Sequence, residues 1–157
     1  MTFKEELEAV LESQLETLNV LKNITEKKSH ILIEENLEAL VGITKDEEEL
    51  INRVGILEVE REQLLDTWGM QVDIPLTNII ANLPENEGKE LRLLGQELYE
   101  TLKSIDEINK LNNQLLSDNM EWIEFNLNLL TNVQTPSTYG TEEGNVKSNN
   151  SLFDRKV

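Results

Sequence analysis

The chain has no cysteine, which excludes a disulfide, a thiolate nucleophile and a thiolate metal site. It has a single histidine, His30. A ferritin-like di-iron centre needs a Glu-x-x-His motif on each of two helices. Here Glu26 precedes His30 by four residues, so no such centre is expected. Basic residues are scarce: 14 Lys and Arg stand against 31 Asp and Glu, a formal net charge of −17. Nucleic acid and anionic membrane both select positive charge, so neither is an expected ligand. No apolar run approaches the roughly 20 residues that span a bilayer. No apolar segment follows Lys4, so a signal peptide is not expected either. Phosphate loops, nucleotide fingerprints, calcium loops and nucleophile motifs are absent. These absences predict a soluble, cytoplasmic protein and offer no catalytic residue, cofactor or metal site; a helical-bundle enzyme would need a convergent polar site that the sequence does not display.

What is present is helical periodicity. Thr2-Phe3-Lys4-Glu5 is a capping box, a hydroxyl at the N-cap and a carboxylate three residues on. Phe3, Leu7, Leu11, Leu15, Leu18 and Leu21 follow at helical spacing, predicting a helix to about Ile33. Asn36 offers the next N-cap. The second helix carries Leu40, Ile43, Glu47, Leu50, Val54, Leu57, Arg61, Leu64 and Trp68 in steps of three and four, a coiled-coil-like seam. Trp68 is expected to plug the core, and Gly69 to stop the helix. Asp73 is the candidate cap of a short helix ended by Pro84. A loop holding Asn86 and Gly88 should precede a last helix from about Lys89 to Asn132, roughly 65 Å long.

The pattern predicts an all-α fold: an elongated antiparallel helical bundle of three long helices and one short one. Leu50, Val54, Leu57 and Leu64 of the second helix are expected to face the last helix. The bundle domain should span residues 1–133. Residues 134–157 read as a flexible C-terminal tail, with Gly140, Gly144 and a Ser/Asn run between the bundle and Leu152-Phe153. An apolar pair at the end of such an arm serves a partner more often than a core.

Charge density varies along the bundle. Residues 34–66 hold 14 charged side chains in 33, whereas residues 108–133 hold four in 26. The second stretch carries Trp122 and Phe125. Interface cores lose charge and gain aromatics, so this end reads either as a partner surface or as deeper core. The candidate partner-binding residues are Asn119, Trp122, Phe125, Asn126, Leu129 and Leu130, with Tyr139, Leu152 and Phe153 in the tail. Asn112, Asn119 and Asn126 lie seven apart in the seam, where an asparagine fixes register. Internal register is the stronger reading for Asn112 and the weaker one for Asn126. Glu47 and Arg61 are expected to meet other helices or to cover apolar surface with their stems. Gly42, Gly55 and Gly95 fit either close helix approach or simple tolerance.

Taken in order, several strings resemble the FlgN family of flagellar export chaperones over nearly the whole chain. They are Asn36-Leu37-Glu38-Ala39-Leu40, Glu47-Glu48-Glu49-Leu50, Leu57-Glu58-Val59-Glu60-Arg61 and Asn109-Lys110-Leu111-Asn112-Asn113-Gln114-Leu115-Leu116. In the tail they are Tyr139-Gly140, Gly144 and Leu152-Phe153-Asp154-Arg155-Lys156. The resemblance implies a type III export chaperone without enzymatic activity. It would hold the terminal amphipathic helix of hook–filament junction proteins and deliver them to the flagellar export apparatus. A structural coiled-coil adaptor that self-associates is the alternative, and a weak homodimer stays open under either reading.

Overall fold

A computed structural model describes the backbone of residues 1–131, with the side chains up to Glu121 other than Asn119. Its described elements are all helical: α1 (Phe3–Glu34), α2 (Leu37–Thr67), α3 (Leu76–Ala81) and α4 (Glu85–Thr131). The expected all-α bundle of three long helices and one short helix is what forms.

Local chemistry sets most of the boundaries. The Thr2 hydroxyl accepts from the Glu5 N–H while the Glu5 carboxylate accepts from the Thr2 N–H, closing the capping box. Glu35 ends α1 in the left-handed region at φ 57°. The Asn36 side chain then accepts from the Ala39 N–H and starts α2. Gly69, at φ +73°, follows the end of α2 in the conformation that glycine tolerates best.

Two starts differ from the sequence expectation. Asp73 does not cap α3; Pro75 stands at its N-cap with no side-chain bond. The last helix begins at Glu85, four residues early, because the Pro84 carbonyl accepts from the N–H groups of Glu87 and Gly88. Proline fixes φ near the helical value and lacks only an N–H that a first turn leaves unused. Asn86 and Gly88 therefore lie in the helix.

α1 is the shared partner. It packs along both α2 and α4, while α3 rests on α4. Pairings of Gln14 with Glu58 and of Lys28 with Glu47 show α1 and α2 antiparallel. Lys4 meets Glu90, Asn19 meets Thr101 and Ser29 meets Asn112, so α1 and α4 run parallel. The expected packing of α2 on α4 is not formed to a comparable degree. Val54 and Leu57 are buried, as the seam requires, but in a bundle centred on α1. The reason lies in the face Leu7, Leu11, Gln14, Leu18, Leu21, Thr25 and Leu32, which is buried along the length of α1. A stripe that continuous needs cover from both sides.

Trp68 is not a core plug. It is half-exposed, its indole N–H donates to Glu6 at 3.1 Å, and its ring tilts against Phe3 at 5.4 Å. Tryptophan tolerates this place because its polar edge stays bonded while its body covers apolar surface.

Candidate partner-binding surface

Polar groups inside the bundle fix its register. Lys28 and Glu47 form an ion pair at 3.1 Å with both side chains about 15% exposed or less. Arg61 meets its own helix neighbour Glu58 at 2.7 Å, and Glu58 also accepts from Gln14 across the α1–α2 interface. The hydrogen bond to Glu58 raises the Arg61 pKa, so the guanidinium stays charged. Glu47 thus meets another helix, as expected, whereas Arg61 reaches α1 only through Glu58.

Asn112 is 2% exposed. Its Nδ2 donates to the Thr25 carbonyl at 3.1 Å, and its Oδ1 accepts from the Ser29 hydroxyl. Internal register, one of the two readings of the sequence, is its role. Both partners are on α1.

Two apolar surfaces stand out among the described residues. The first is a groove of about 580 Å³ where α1, α2 and α4 meet α3. Leu11 and Leu18 line it from α1, Val54 from α2, Leu76 from α3, and Leu98 and Leu102 from α4. Gly95 sets the depth at which α3 sits. A Cβ there would stand 2.6 Å from a Leu76 methyl, whereas at Gly42 and Gly55 nothing lies within 4 Å. Close approach explains Gly95; tolerance explains the other two.

The second surface lies at the opposite end. Ile33, Leu37 and Val41 are exposed at 63%, 70% and 73% at the α1–α2 corner. Leu37 and Val41 are one turn apart and share a face. This corner was missed in the sequence, although two apolar residues one turn apart and off the Leu40–Ile43 seam are a readable signal. Beside it α4 outruns α1. Asn112 stands opposite Thr25 and Ser29, so one heptad on, residue 119 is level with the end of α1 at Glu34. The last dozen residues of α4 run past that end, about 18 Å of helix.

The backbones of Trp122, Phe125, Asn126, Leu129 and Leu130 lie on this extension, and that of Asn119 lies where it begins. Their side chains are outside the described residues, as are Tyr139, Leu152 and Phe153 entirely. No side-chain convergence among these nine candidates is described.

Charge at the other end is local. Lys4 bridges Glu8 and Glu90, and its hydrogen bond to Glu90 raises its pKa while lowering that of Glu90. The Thr2 N–H holds the Glu5 carboxyl below its ordinary value. Among the described residues no cluster of His, Cys, Asp or Glu is arranged to hold a metal ion. No described helix is long and apolar enough to cross a membrane.

Comparison with known proteins returns no match among curated proteins and none among solved structures. A family model described as FlgN protein matches residues 1–147, nearly the whole chain. The chain belongs to the FlgN family of flagellar export chaperones.

Proposed function

We propose that this chaperone binds hook–filament junction proteins in the cytoplasm, prevents their premature assembly and delivers them to the flagellar export apparatus. It acts as a binding protein and carries out no chemistry. The client offers a terminal amphipathic helix, which the chaperone takes by helix-in-groove recognition. The observation that carries this reading is the extension of α4 past α1 over residues 120–131, which hold two charged side chains in 12, Glu121 and Glu124. A helix that continues its heptad pattern beyond its neighbour offers an apolar face to a partner. Trp122, Phe125, Leu129 and Leu130 are its anchors, flanked by Asn119 and Asn126.

Residues 134–157 form a separate arm in this proposal. Tyr139, Leu152 and Phe153 dock either the client or the export apparatus. A calorimetric titration of the purified junction proteins of the same bacterium tests the reading. Phe125→Ala should weaken binding at least tenfold at unchanged helicity, since truncating an aromatic anchor costs about 2 kcal/mol or more. Unchanged affinity would assign this end to the bundle's own core. Deleting residues 134–157 should abolish client binding or secretion; tighter binding would make the arm a cover for the surface instead.

A further inference from the structure

We propose that residues 70–83, with α3 at their centre, form a lid over the groove between α1, α2 and α4, and that the lid lifts as a unit while the three long helices stay packed. The lid does not depend on which partner the chain takes.

Its closed position is specific. α3 lies on α4 over two glycines one heptad apart, Gly88 and Gly95. A Cβ at Gly88 would stand 3.1 Å from an Ile80 methyl, and one at Gly95 would stand 2.6 Å from a Leu76 methyl. The floor of the seat is therefore bare backbone, and a side chain there would compete with the lid for the same space. Ile79 and Ile80 are buried in the seat, and Met70, Ile74, Leu76 and Leu83 pack against the same core.

Apolar contact alone holds the lid down. Among the described residues, the hydrogen bonds of 70–83 close on residues 65–80, and none reaches α1 or α4. Asp73 is the segment's one charged side chain, and none of the described ion pairs includes it. The long helices are joined differently, by Gln14 with Glu58, Lys28 with Glu47 and Asn112 with Thr25. Parting those pairs strands buried polar groups, whereas an apolar contact lets go without that cost.

The connections and the fit suit a moving part. The chain enters the segment through Gly69, at φ +73°, and leaves it at Pro84. The lid does not fill what it covers. About 580 Å³ remains between Ile74, Leu76 and Ile79 on the lid and Leu11, Leu18 and Leu98 on the long helices. α3 has six residues, too few to stay helical away from its support. Lifting therefore melts it, and its backbone amides report the motion.

Hydrogen exchange on the full chain is the test. The N–H groups of Ile79, Asn82 and Leu83 are bonded within the lid. They should be at least about a hundredfold less protected than those of α1 around Leu18. Their exchange should respond little to low urea, because lifting the lid exposes far less surface than unfolding the bundle. Gly95→Leu places a side chain where the Leu76 methyl sits and should prop the lid open. Lid protection should fall about tenfold further at unchanged α1 protection, the effect of an overpacked contact. The same variant should raise the fluorescence of Nile red, a neutral apolar dye that the uncovered groove would admit. Leu76→Ala removes a lid contact without adding bulk and should lower lid protection in the same direction, which keeps the test open if Gly95→Leu does not fold. Lid amides with the protection and urea dependence of α1 would make residues 70–83 part of one cooperative core and overturn the inference. A folded Gly95→Leu chain that keeps wild-type lid protection or wild-type dye fluorescence would overturn it too.

Discussion

Asn112 shows how much one side chain can decide in a helical bundle. Leucine at that position would suit the seam sterically, yet it would remove both the donor to the Thr25 carbonyl and the acceptor of the Ser29 hydroxyl, leaving that hydroxyl only its 3.3 Å bond to the Thr25 carbonyl. Asn112→Leu is expected to lower stability by about 1–3 kcal/mol, read as a shift in a urea midpoint at unchanged slope. The Lys28–Glu47 pair makes a sharper case, because both side chains are largely buried. Lys28→Met leaves a carboxylate in place without its cation and should cost about 3 kcal/mol. The double variant Lys28→Met, Glu47→Leu should recover most of that loss. Glu5 carries the acid response of the α1 start. Its folded pKa is lowered by the bond from the Thr2 N–H. Its contribution is therefore complete above the ordinary carboxylate pKa and fades as pH falls through the lowered folded value. Amide exchange of the first α1 turn should speed up over that acid range in the wild type and show no such step in Glu5→Ala.

At the scale of elements, glycine divides into two classes that the sequence could not separate. Gly42 and Gly55 face open space, and alanine at either should stabilise the chain by up to about 1 kcal/mol. Gly95→Ala gains the same helix propensity but pushes the Leu76 methyl aside. Its melting temperature should rise less than that of Gly42→Ala or fall below wild type. What made the elements legible was the three-and-four spacing along α1 and α2, with Thr2 and Asn36 as caps. What hid the start of α4 was Pro84, which reads as a breaker in the sequence but opens a helix when its carbonyl is free to accept. What hid the pairing of the helices was that each long helix has an apolar face, and periodicity does not say whose face it meets. Gln14, Thr25 and Lys28 carry that information. Their polarity marks them as outliers in the α1 stripe, but their partners Glu58, Asn112 and Glu47 are distant in sequence. Of the candidate site, the low charge of the α4 end was visible in composition. The Ile33, Leu37 and Val41 corner was legible only in part: Leu37 and Val41 stand one turn apart off the seam, but single apolar residues beside a turn are common, and their exposure shows only in the fold.

Across the whole molecule, the proposed function separates stability from recognition, because it gives the far end of α4 to a client. Every described core residue lies at or before Asn112, and the packed layers run from Phe3 to Leu32 on α1. The α4 extension lies beyond them. Under that proposal, truncating the chain after Asp118 removes a recognition surface and leaves these layers in place. The shortened protein should melt within a few degrees of the full chain, since changes away from the core seldom exceed about 0.5 kcal/mol. Its affinity for a junction protein should fall below detection in the same buffer. The acid excess adds a second handle. Twelve acidic and three basic side chains crowd residues 34–73, and like charges on one surface oppose the compact state. Raising salt from about 20 mM to 500 mM shortens the screening length from roughly 20 Å to 4 Å and should raise the melting temperature of both forms equally. Client binding by the full chain responds differently. If acidic flanks of the extension attract a basic helix, the same salt should weaken the complex while strengthening the fold. Melting and titration series run in parallel would show the two trends diverging, whereas a complex that tightens with salt would mean that apolar contact alone holds the client.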